Sequence, residues 1–113
     1  MNYRIILDAP FKKEVKRLAK KYPSLKKDLS ALQDELLSHP QAGIDLGGGL
    51  RKVRMAIASK GRGKSHGARV ITFTVVVAIE ESEINLLTIY DKAERESISQ
   101  KEIEALLKEA DLL

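Results

Sequence analysis

Two β-branched runs, RVITFTVVVAI (69–79) and INLLTIY (84–90), are separated by only the four residues EESE. Branching at Cβ restricts χ1 in a helix and packs well on a pleated surface, so both runs predict strands. So short a connection forces antiparallel neighbours, because a parallel crossover needs roughly a dozen residues or more. A third run, LRKVRMAI (50–57), leads into ASKGRGKSHG (58–67), which reads as a long, mobile, basic turn. Three consecutive strands joined this way predict an antiparallel meander. On the first of them, period two puts Leu50, Lys52, Arg54 and Ala56 on one face and Arg51, Val53, Met55 and Ile57 on the other.

The rest of the chain supplies the cover. Tyr3–Leu7 (YRIIL) predicts a short first strand, broken by Asp8-Ala9-Pro10. Phe11, Val15, Leu18, Ala19 and Tyr22 recur at helical spacing, as do Leu25, Leu29, Leu32, Leu36 and Leu37 after Pro23. The second helix should end near Ser38-His39-Pro40, because the residue before a proline disfavours helix. Residues 41–49 (QAGIDLGGG) read as a loop. Ser99 and Glu102 form a capping box, with Ile98 and Ile103 at the staple positions, and predict a last helix to about Ala110. The expected fold is α+β: an N-terminal strand and a helical hairpin packed on an antiparallel meander, with a C-terminal helix. At 113 residues the chain fits one domain, 1–113.

Function classes fall away quickly. Without cysteine there are no disulfides, thiolate metal sites or cysteine nucleophiles, and with only His39 and His66 no metal or other cofactor is expected. No apolar run is long enough to span a membrane, and MNYRIILDAPFKK lacks a signal-peptide pattern, so a cytoplasmic location is expected. The net charge of +4 is unevenly spread. From Leu46 to Ile79 there are seven basic residues and no acidic one, whereas the remainder carries thirteen basic and sixteen acidic residues. One third of the sequence therefore holds the whole positive excess, which points to a polyanion.

Within that third, Lys52 and Arg54 share a strand face and Arg69 opens the facing strand, and beyond it Tyr90 and Lys92 end the next one. The meander can gather these ends into a cationic patch, with Lys60, Arg62, Lys64 and His66 on the turn at its rim and Arg51 beside it. Arginine grips phosphate oxygens bidentately and lysine acts as a point charge. Such a patch also suits a phosphorane, which gathers negative charge. RNA carries its own nucleophile, the 2′-OH, so orienting that hydroxyl and neutralising the phosphorus oxygens is enough for cleavage without a metal. A lysine among like charges has a lowered pKa and can act as base. Neither GGG (47–49) nor GKS (63–65) has the strand-to-helix context of a P-loop. His39 reads as a helix-end residue.

The block GGLRKVRMAIASKGRGKSHGARVITF (48–73), followed by LLTIYDKAE (86–94), resembles the RelE/HigB branch of the RelE/ParE toxin superfamily. The order of elements is similar too. The resemblance implies the toxin of a type II toxin–antitoxin pair, a metal-independent mRNA interferase that cuts messages on the ribosome and is neutralised by a cognate antitoxin. It implies Lys52 as base or charge donor, Arg69 as phosphorane stabiliser, Arg54 and Lys92 as electrostatic supports, and Tyr90 as a base-stacking residue. Arg51, Lys60, Arg62, Lys64 and His66 would then bind RNA. The chain departs from the family block at His66, which stands where a glycine is common, at Thr72 and Phe73, and in having no aromatic residue after Tyr90. Two alternatives stay open: a ParE-like inhibitor of DNA gyrase, and a relative that binds RNA or antitoxin without cleaving.

Overall fold

The structure, a computed structural model, describes residues 1–113. In chain order it comprises β1 (Asn2–Leu7), α1 (Ala9–Lys21), α2 (Leu25–Ser38), β2 (Ile44–Gly47), β3 (Leu50–Met55), β4 (Ala68–Ala78), β5 (Glu81–Asp91) and α3 (Gln100–Glu109). Two single-turn 3₁₀ helices, Ala58–Lys60 and Lys64–His66, lie between β3 and β4. The five strands form one sheet in the order β1-β5-β4-β3-β2.

The α+β class and the meander hold, with four differences. Residues 41–49 are not all loop: Ile44–Gly47 pairs antiparallel with β3. These residues have little strand propensity of their own, and the open edge of β3 supplies the backbone partners. The β1 strand joins the sheet parallel to β5, from Asn2 opposite Glu81 to Leu7 opposite Leu86. The turn at 80–83 shrinks to Ile79-Glu80, with Ala78 opposite Glu81 and Glu80 at a positive φ of 61°. Finally, β3 stops at Met55, two residues short of the apolar run's end.

Alternation along the strands divides the core. Val53, Met55, Val70, Leu86 and Ile89 face α1 and α2, where they meet Phe11, Leu18, Leu29, Leu32 and Leu36. On the opposite face Leu50, Ile71 and Leu87 meet Ile103 and Leu107 of α3. The predicted capping box starts α3: Glu102 N–H donates to Ser99 Oγ at 3.1 Å and Ser99 N–H to Glu102 Oε1 at 3.4 Å. The ten-residue α3 packs through Ile103 and Leu107 on the part of this face that carries Leu50, Ile71 and Leu87. No helix is long and apolar enough to cross a membrane.

Candidate functional site

Pairing registers decide which basic residues meet. Arg54 lies opposite Arg69 across β3–β4, and Arg69 lies opposite Tyr90 across β4–β5. Paired residues share a face, so Arg54, Arg69 and Tyr90 form a row on the α3 face. Lys52, two residues from Arg54 and opposite Ile71, lies on the same face one row nearer α3. Four of the sequence-predicted residues therefore come together.

Their environments differ. Arg54 is exposed and Lys52 half-buried, whereas Arg69 is 6% exposed and Tyr90 4%. No carboxylate pairs with Lys52, Arg54 or Arg69. The Arg69 guanidinium instead donates to neutral carbonyls: Nη1 to Lys64 (3.0 Å) and Ala68 (3.1 Å), and Nη2 to Ser65 (3.4 Å). Burial and then the nearby Arg54 charge lower its pKa, partly offset by Tyr90. Three of its five N–H groups are used, so the fork is fixed while its charge stays unneutralised. Burial raises the Tyr90 phenol, opposed by Arg69 and Arg95, and the hydroxyl has no hydrogen-bond partner. Sequence reasoning missed Arg95, whose guanidinium stacks 5.6 Å from the Tyr90 ring centroid and pairs with Glu102 at 2.8 Å. Its place three residues after Lys92 was the available signal.

The turn between β3 and β4 makes a second group. A cleft of about 360 Å³ brings Arg62, His66 and Lys92 together with Tyr22 and Lys60. Arg62 and His66 are exposed, and the His66 ring contacts Ser65 Oγ. Lys92 Nζ donates to the Glu96 carbonyl at 3.2 Å, and the residue lines this cleft. Lys64, exposed, lies 3.6 Å from Glu35.

Two residues expected to bind RNA are engaged elsewhere. Arg51 falls on the opposite face, where Nη1 donates to the carbonyls of Gln41 (2.9 Å) and Gly43 (3.2 Å) and fastens the approach to β2. Lys60 Nζ donates to Asp91 Oδ1 at 2.6 Å and to the His66 carbonyl at 2.9 Å, and its side chain is 12% exposed. The turn is also tied at its start, where Ala58 N–H donates to Asp28 and Ser59 N–H to Ser24 Oγ.

A larger cleft of about 390 Å³ lies between α1 and α3 and touches Tyr90 from the side. Its rim mixes Lys13, Arg17 and Arg95 with Glu14, Glu94 and Glu102. Such a mixed rim gives no net field for a polyanion, whereas the Lys52–Arg54–Arg69 group is of one sign. A family model described as the RelE toxin of the RelE/RelB toxin–antitoxin system matches residues 4–113, nearly the whole chain.

Proposed function

The chain belongs to the RelE toxin family, the toxin side of a toxin–antitoxin pair, and from that premise we propose that it is a ribosome-dependent mRNA interferase. The observation that carries the reading is the row of Arg54, Arg69 and Tyr90 with Lys52 beside it. Arg54 is exposed and Lys52 half-buried on this face, Arg69 and Tyr90 are buried beside them, and none of the three cations pairs with a carboxylate. A buried guanidinium held by neutral carbonyls keeps its full charge in a low-dielectric setting, where it acts on a developing phosphorane more strongly than an exposed one.

In this reading the message lies across the face that carries Lys52 and Arg54. Its 2′-OH attacks the adjacent phosphorus, the P–O5′ bond breaks, the departing 5′-oxygen takes a proton from water, and the products are a 2′,3′-cyclic phosphate and a 5′-hydroxyl end. Lys52 takes the 2′-OH proton or supplies charge beside it. Arg69 offers its two unused N–H groups to the phosphorus oxygens, and Arg54 adds a second cation. Tyr90, 4% exposed with the Arg95 guanidinium over its ring, packs beside Arg69 and is not available to stack on a base. Lys92, Arg62, Lys64 and His66 form an adjoining basic ledge for the RNA backbone. Lys60 has no part in contacting RNA, because its ammonium is held by Asp91 and the His66 carbonyl, and Arg51 is set apart because it lies on the opposite face of the sheet.

The test is to map message ends on programmed ribosomes after adding the purified protein, with Arg69→Met as control. Cuts confined to the A-site codon, absent from the control and from ribosome-free RNA, support the interferase. Uncut messages with salt-sensitive RNA binding point to a binding-only relative, since each phosphate contact steepens the salt dependence by about one log unit. Uncut messages together with gyrase inhibition point to the ParE-like activity.

A further inference from the structure

Lys60 sits at a polar node outside the cationic row. Its carboxylate partner, Asp91, is fully buried at the end of β5. Asp91 Oδ2 accepts the Tyr22 hydroxyl from the end of α1, and Oδ1 accepts the Ala93 N–H at 3.0 Å as well as the Lys60 ammonium. Lys21 reaches the same carboxylate at 3.8 Å from the exposed side. The Lys60 ammonium also lies 5.2 Å from the Tyr22 ring centroid. Asp91, the His66 carbonyl and an aromatic face thus surround the ammonium, and nothing is left over for a ligand.

The second Lys60 bond gives the node a reach beyond folding. Lys60 binds the carbonyl of His66, while Arg69 binds the carbonyls of Lys64 and Ser65. Two cations therefore hold consecutive peptides of one 3₁₀ turn from different sides. The Gly67 carbonyl, next in line, accepts the Lys92 N–H at 3.0 Å. The glycine there is obligatory, since a Cβ at Gly67 would stand 2.0 Å from the Met55 carbonyl oxygen. Because Asp91 neutralises Lys60, the node fixes the turn without adding repulsion to Arg69.

We propose that Lys60 is a positioning residue: anchored on Asp91, it holds the Lys64–His66 turn whose carbonyls orient the Arg69 guanidinium. The proposal rests on the reading of Arg69 as the phosphate contact. The orientation itself can be measured without any RNA.

The experiment compares arginine modification by phenylglyoxal in the wild-type protein and in Lys60→Met, Lys60→Arg and Tyr22→Phe. Sites are mapped by mass spectrometry, and exposed Arg54 in the same molecule is the internal standard. Releasing the turn by one tenfold step in its opening equilibrium should speed Arg69 modification about tenfold relative to Arg54 in Lys60→Met. Lys60→Arg should restore protection, because a guanidinium can bridge Asp91 and the His66 carbonyl. Tyr22→Phe removes one bond to Asp91, keeps the ion pair, and should fall between; it serves as the reporter if Lys60→Met does not fold. Arg69 equally slow in every folded variant overturns the proposal. Cleavage is followed in parallel, and Lys60→Met should lower kcat by up to about a hundredfold with little change in KM. Faster modification with a wild type that does not cleave removes the interferase reading and keeps the node. Unchanged modification with an active wild type does the reverse.

Discussion

Replacing Arg69 by methionine separates what the residue does for the fold from what it does for the site. The stabilising side is three bonds to neutral carbonyls, two near 3.0 Å and one stretched to 3.4 Å. Hydrogen bonds to a charged group contribute about 1.5–3 kcal/mol each, so the two full-strength ones amount to about 3–6 kcal/mol. The opposing side is a guanidinium 6% exposed, with Arg54 opposite it and no carboxylate to pair with. Effective desolvation of a buried ion costs several kcal/mol, and the like charge adds to that. Methionine keeps much of the apolar stem and removes both sides together. The expected change in unfolding free energy is therefore within about 1 kcal/mol of zero, read as a urea midpoint at constant slope. Message cleavage should nevertheless fall about 10²–10³-fold, the usual cost of losing a donor aimed at developing charge. A loss of about 3 kcal/mol or more, with cleavage intact in the folded fraction, would make Arg69 a strut and undo the reasoning.

Leu18→Ala empties a fully buried position where α1 meets the sheet and should cost about 2–5 kcal/mol by urea unfolding; a loss below about 1 kcal/mol would contradict that packing. Burial pushes the Asp91 carboxyl up, but the bonds from Lys60, Tyr22 and the Ala93 N–H outweigh it and leave the pKa below the ordinary carboxylate value. A depressed folded pKa stabilises the protein above the unfolded value of about 3.9, and that contribution is lost as pH falls through the folded pKa. Stability measured from pH 6 downward should thus decline less steeply in Asp91→Asn than in wild type, and parallel curves would show that the carboxylate is not held in this way.

Local chemistry was legible in the sequence wherever the signal was itself local. The β-branched runs of β4 and β5 and the Ser99–Glu102 box each depend on neighbours within a few residues, and each forms the element expected, with β5 starting three residues early at Glu81. The face assignment on β3 also holds, because period two needs nothing beyond the strand. What escaped depends on distant partners. No residue in Tyr3–Leu7 signals that its neighbour will be Ser82–Leu86, or that the pairing will be parallel. Ile44–Gly47, read as part of the 41–49 loop, becomes a strand through β3's edge. Among the cations, sequence alone does not distinguish Lys60 from Arg62. One is bound to a carboxylate 31 residues away and the other is exposed, and only the fold sorts them. Tyr22, read as a core residue of the first helix, likewise gives its hydroxyl to Asp91.

The strand order has a consequence in time. β5, the last strand to be synthesised, lies between β1, the first, and β4. During vectorial synthesis β2, β3 and β4 can pair as they emerge, while β1 has no neighbour for more than seventy residues of elongation. Tyr90 and Asp91 arrive only with the end of β5, so the cationic row lacks its aromatic member and Lys60 lacks its anchor until then. The nascent chain therefore carries its basic residues long before it carries a site, and assembly of that site waits on the strand that also closes the sheet.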